Sequence, residues 1–175
     1  MYFSFVNFTN CEVSEDFLRD SFKKILKNEG KNSSFGVDVV IIGQRKMREI
    51  NKRYGGLNKV TDILSFPANE VLKDTKKDIQ FITPKETENS IGEILLCTSR
   101  IKKNAKKFKR SFKKEFIFVF VHGILHLLGY DHKTQHDAKK MQKKEKEIIQ
   151  ALDLLNNNFS LEDKEILNEN YKERE

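Results

Sequence analysis

Apolar positions recur with period two in some stretches and with helical spacing in others, and their order along the chain lays out the elements. Tyr2 to Phe8 alternates aromatic and polar residues as a first strand does. Ser14, followed by Glu15, Asp16 and an apolar series at Phe17, Leu18, Phe22, Ile25 and Leu26, predicts an N-capped amphipathic helix ending before Gly30. Phe35 to Ile42 is a strand, because Val37, Val39, Val40, Ile41 and Ile42 make the β-branched run of a buried central position. Gln44 to Tyr54 predicts a second helix with Met47, Ile50 and Tyr54 on one face, stopped by Gly55-Gly56. Val60 to Phe66, closed by Pro67, is a third strand, and Ile91 to Cys97 a fourth. Between them lie roughly twenty mostly polar residues, among them Asn69, Asp74, Lys76, Lys77 and Pro84. A loop of that length is either mobile or functional, and this one reads as mobile, with Ile79 to Ile82 able to add a short strand.

After Cys97 the pattern turns helical. Thr98 and Ser99 read as the cap of a helix through about Phe108, and Ser111 as the cap of the next. That next helix, Phe112 to Leu128, is apolar almost all round, as a helix buried inside a small protein must be. Thr134 to Leu152 predicts another, with Met141, Ile148 and Ile149 facing inward. Asn156-Asn157-Asn158 reads as a linker, and Ser160-x-x-Asp163 as a capping box before a short, acidic, peripheral helix. The expected organisation is one catalytic α+β domain over 1–155 and a polar linker with a short helix over 156–175. Its core is a four-stranded mixed sheet packed against the buried helix.

The buried helix carries the chemistry. His122, His126 and His132 are three of the four histidines of the chain, spaced H-x3-H-x5-H. Positions four apart lie one above the other on a helix face, so His122 and His126 can offer two imidazole nitrogens to one cation. Gly129 lets the helix end in a left-handed turn, and the returning chain can bring His132 in as a third ligand. Left unpaired, imidazoles among Val121, Ile124, Leu125 and Leu128 would be a buried polar cost. Three protein ligands with a vacant position describe a catalytic zinc site more than a structural one, which normally takes four. Three imidazoles suit zinc and also admit nickel, copper or iron. Zinc peptidases of the H-E-x-x-H-x-x-G-x-x-H type share this frame but carry a glutamate after the first histidine as general base. Here that position is Gly123, which cannot move a proton, so hydrolysis would rest on the cation, which can bring the pKa of bound water to about 7.

His122-Gly123-x-Leu125-His126-Leu127-x-Gly129-Tyr130-Asp131-His132 resembles the signature of the YbeY family. Thr61-Asp62-Ile63-Leu64-Ser65-Phe66-Pro67 fits the same family, as does Ile91-Gly92-Glu93-Ile94, where the family more often has aspartate at the third place. The likeness runs from about Val37 to Leu152. It implies a bacterial, metal-dependent, single-strand endoribonuclease that matures the 3′ end of 16S rRNA and serves ribosome quality control, with a zinc-peptidase-like sheet topology. One departure stands out. The family usually has an arginine, serving the active cleft, after the aromatic that closes the second helix, and here Gly55 follows Tyr54. Another cation, such as Arg53 or Lys59, would then have to substitute, or the chain would cleave RNA poorly and act mainly as a metal-stabilised ribosome assembly factor.

Composition adds direction. Lys+Arg 33 against Asp+Glu 26 gives +7, favouring a polyanionic partner such as single-stranded RNA or the small ribosomal subunit. Arg100 to Lys114 holds nine Lys or Arg and no acid, and Arg45, Lys46, Arg48, Lys52, Arg53 and Lys59 form a second basic set opposed by Glu49 alone. Arg53, Lys59, Arg100, Lys102, Lys103 and Lys106 are the candidate RNA contacts, each also readable as solvated surface. Asp131 is a candidate orienter of an imidazole, with a turn role equally open, and His136 lies four residues past His132 but outside the signature. Two cysteines, Cys11 and Cys97, make no disulfide framework and read as buried filler in a reducing compartment. The first residues lack a signal-peptide pattern, and the apolar run Phe116 to Val121 is too short to span a bilayer. A cytoplasmic protein is expected. A zinc hydrolase of another substrate stays open beside the nuclease and the assembly factor.

Overall fold

A computed structural model of the chain describes residues 1–31, 34–68 and 89–153. The expected loop with its extra strand, the polar linker and the last helix lie outside these residues. In chain order the elements are β1 Phe3–Asn7, α1 Glu15–Asn28, β2 Gly36–Ile41, α2 Gln44–Tyr54, β3 Ile63–Pro67, β4 Ser90–Leu96, α3 Thr98–Lys107, α4 Phe112–Leu127 and α5 Gln135–Asp153. The sheet order is β1-β2-β4-β3, with β1, β2 and β4 parallel and β3 antiparallel on the edge. The chain is thus α+β with a four-stranded mixed sheet.

Strand alternation sorts the sheet into two faces. Val37, Val39 and Ile41 of β2, with Ile94 and Leu96 of β4, pack in the main core with apolar residues of α1, α4 and α5. Val40, Ile42, Leu95 and Cys97 point the other way, where Met47 of α2 covers them. β2 is buried at every position, as its β-branched run requires. α4 crosses the first face and is buried nearly all round, which is why its sequence has no polar stripe.

The caps follow from the residues. Ser14 Oγ accepts from Phe17 N at 3.2 Å, and Ser111 Oγ from Lys114 N at 3.3 Å. Three expectations are corrected. The third strand starts at Ile63 rather than Val60, and it includes Pro67, which pairs with Gly92 on an edge where a missing N–H leaves no ladder bond unmade. The cap of α3 is Cys97, whose side chain makes no capping bond to the helix backbone, while Thr98 is buried within the helix. Cys11 is only half-buried, unlike Cys97. Among the described residues no helix is long and apolar enough to cross a membrane.

Candidate metal centre

α4 ends in a tight reversal built on Gly129. Gly129 N donates to His126 O at 3.0 Å, and Tyr130 N to Leu125 O at 3.0 Å, the two crossed bonds of a Schellman turn. Gly129 has φ +94, a conformation that a side chain resists. The turn sends the chain back toward the helix it has just left. Tyr130 then anchors it, its hydroxyl donating to Glu29 Oε2 at 2.8 Å at the end of α1, and Lys144 of α5 lies 3.1 Å from Glu29 Oε1. That tether holds the segment that bears His132.

The three rings meet. His122 Nε2 and His126 Nε2 lie 3.0 Å apart, and the ring of His132 is centred 5.0 Å from that of His126 and 5.7 Å from that of His122. One donor atom from each histidine lies within 4.8 Å of the others. An ion bound at about 2.0–2.1 Å in tetrahedral geometry needs imidazole nitrogens about 3.3 Å apart, so small ring movements suffice. His136 is exposed and outside this group.

What turns the nitrogens toward one point is the fixing of the opposite ring atoms. His126 Nδ1 lies 2.9 Å from Tyr130 O, an acceptor supplied by the same turn. His122 Nδ1 lies 2.7 Å from Glu145 Oε1 on α5. Both Nδ1 atoms therefore carry their protons and leave Nε2 lone pairs for a cation. Burial, followed by His122 and His132, pushes His126 down to about 4, so it is neutral and ready to ligate near neutrality. Sequence reasoning misses Glu145. Its signal is an acid on an otherwise apolar stripe, between buried Met141 and Ile148. Asp131, the sequence candidate for orienting an imidazole, instead accepts from the backbone N of His132 at 2.7 Å and pairs with Lys133 at 2.8 Å, the turn role.

The position after the first histidine is closed. A Cβ on Gly123 would come 2.2 Å from Ile63 Cδ1, 3.3 Å from Ser65 Oγ and 3.4 Å from Ile94 Cγ2. Residue 123 is where α4 lies against β3 and β4, and a peptidase glutamate there would have to displace the Ile63 side chain. The histidines open instead on a cleft of about 940 Å³ between β3, α3, α5 and the segment after α4.

The sequence fits the family model described as endoribonuclease YbeY over residues 5–153. The chain belongs to the YbeY endoribonuclease family. Among relatives bearing that name, the protein of Clostridium acetobutylicum is 35% identical over 150 residues, covering 82% of this chain and 90% of its own. That of Clostridioides difficile is 32% identical over 146 residues, with 82% and 90% covered. A Thermotoga maritima protein of known solution structure superposes with a TM-score of 0.56 at 25% identity, covering 86% of this chain and 89% of that one.

Within this YbeY fold the candidate basic residues separate. Lys59 and Arg100 line the cleft, as do Lys107 and Lys133. Lys102, Lys103 and Lys106 are exposed and away from it, with Lys102 over the Phe112 ring. Arg53 is turned over the ring of Tyr54, 5.4 Å from its centroid. At position 55 a Cβ would lie 2.4 Å from Asn51 Oδ1. Asn51 occupies that space and donates to Lys59 O at 2.9 Å, fixing the loop that carries Lys59 to the cleft.

Proposed function

We propose that this YbeY protein is a metal-dependent endoribonuclease of single-stranded RNA, acting at the 3′ end of 16S rRNA in small-subunit maturation and ribosome quality control in the cytoplasm. The convergence of three imidazoles on one point at the floor of a basic-edged cleft carries the reading. An ion held by His122, His126 and His132, of which zinc suits the donor set best, would supply Lewis acidity toward a phosphoryl group. The chain's own part is to prepare that centre. Glu145 and the Tyr130 carbonyl hold the Nδ1 protons of His122 and His126 and so fix ring orientation. Gly123 brings no carboxylate, which argues against the base-assisted hydrolysis of a peptidase. Cations at the cleft edge oppose the charge of a phosphodiester chain. The single-strand preference is what the family resemblance implies. Gly55, with Asn51 in the adjacent space, favours a second reading, a ribosome assembly factor that cleaves weakly.

Purified protein incubated with single-stranded RNA, with and without chelator and beside a His126→Ala variant, separates these. Cleavage should require both metal and His126. Equal cleavage by the variant would point to a contaminating nuclease, and no cleavage with any of zinc, nickel, copper or iron would leave the assembly role.

A further inference from the structure

Between Arg100 and Lys114 the basic run looks undivided in sequence, but α3 divides it. The residues of this segment that line the cleft are Arg100, Asn104, Lys107 and Phe108. Their spacing of i, i+4, i+7 and i+8 is a single helical stripe. Ile101 and Ala105 lie on the buried side of the helix, and Lys102, Lys103 and Lys106 on the solvent side. The stripe is held in place at its middle, where Asn104 Nδ2 donates to Asp62 Oδ2 at 2.9 Å across the cleft wall.

Arg100 stands one turn before that anchor. It is half-buried, faces the same cleft as the histidines, and has no acidic partner among the described residues. Asp62 is engaged elsewhere, by Asn104 and by Thr61 Oγ1 at 3.3 Å. A guanidinium is weakly hydrated, always charged and shaped to bind a phosphate through two parallel N–H groups. A partly desolvated one on the wall of this cleft is suited to that ligand. We propose that Arg100 grips one phosphate of the bound RNA strand beside the three-histidine centre, and that Lys107 meets another, so that the strand runs along α3. The two side chains are about 10 Å apart along the helix axis. This rests on the RNA-cleaving reading and names the face that holds the substrate.

The test is the salt dependence of binding to a short, fluorescent, single-stranded 2′-O-methyl RNA, with the metal-loaded full chain. For a single strand, each phosphate the protein no longer neutralises makes the slope of log affinity against log salt shallower by about 0.7. Arg100→Gln should show that drop and weaken binding about tenfold to a hundredfold, alike across sequences. Arg100→Lys, which preserves the charge and the stem, should keep most of the slope while losing affinity. Lys27→Gln, on an exposed turn of α1, should change neither. An unchanged slope in Arg100→Gln, or an equal drop in Lys103→Gln, would overturn the assignment and show diffuse binding. A wild-type chain with no salt-dependent RNA binding would instead overturn the nuclease reading itself.

Discussion

Glu145 offers the most direct test of how the centre is prepared. It is 1% exposed, on α5, with Oε1 2.7 Å from His122 Nδ1. Glu145→Gln keeps the shape and leaves an amide oxygen to accept the same proton, but removes the charge. A hydrogen bond to a charged acceptor contributes about 1.5–3 kcal/mol and a neutral one about 0.5–1.5, so the imidazole is held less firmly by about 1–1.5 kcal/mol. At about 1.4 kcal/mol per decade, that weakens metal binding roughly tenfold, at the low end of the tenfold to hundredfold expected for such partners. Competition of the metal-free protein against a chromophoric zinc chelator measures it, with thermal unfolding in excess chelator to show that the fold survives. Glu145→Leu, which leaves the Nδ1 proton without an acceptor, should be weaker still. A folded Glu145→Gln that binds zinc as tightly as wild type, or a Leu variant that binds more tightly than Gln, would refute the role.

Burial, and then Asp38 opposite it on β2, push the Glu93 carboxyl from 4.5 up to about 7. The folded chain therefore keeps a proton that the unfolded chain has released, and this contribution is full below about pH 4.5 and lost as pH rises through about 7. Glu93→Gln cannot ionise, so its melting temperature should gain on wild type by more at about pH 8 than at about pH 5, and parallel profiles would contradict the shift. Gly123→Glu would force a side chain between α4 and β3, lowering stability in urea by at least about 2 kcal/mol without creating peptidase activity. A variant as stable as wild type would mean that the helix and sheet separate easily there. Lys109 holds φ 52 after α3, so Lys109→Gly should raise stability by about 0.5–1 kcal/mol in chemical denaturation, and a loss would show that the lysine side chain stabilises the turn.

Much of this architecture is local, and so it is legible in the chain. The β-branched run of β2, the caps at Ser14 and Ser111 and the stop at Gly55-Gly56 each act within a few residues, where propensity and hydrogen bonding decide. The start of β3 is not legible in this way, because Val60 and Thr61 are strand-like residues while pairing with β4 begins only at Ile63. Residue type could not reveal that, since a strand exists only where a partner satisfies its backbone. The cap of α3 escapes for a related reason. Thr98 has the right chemistry for a cap but is drawn into the buried face of the helix, leaving Cys97 at the end.

The metal candidates show the same division at the site. Residue order alone establishes that His122 and His126 share a face, that Gly129 turns the chain and that no carboxylate follows the first histidine, because helix geometry and a glycine turn are properties of neighbours. Long-range packing chose which acid serves the centre, since Glu145 is brought to His122 across 23 positions by the docking of α5 on α4. It also set where His132 stands, through the bond from Tyr130 to Glu29 across 101 positions. And it sorted equal-looking cations into those that line the cleft and those that face away from it, because charge is written in composition while the direction a side chain faces depends on what packs behind it.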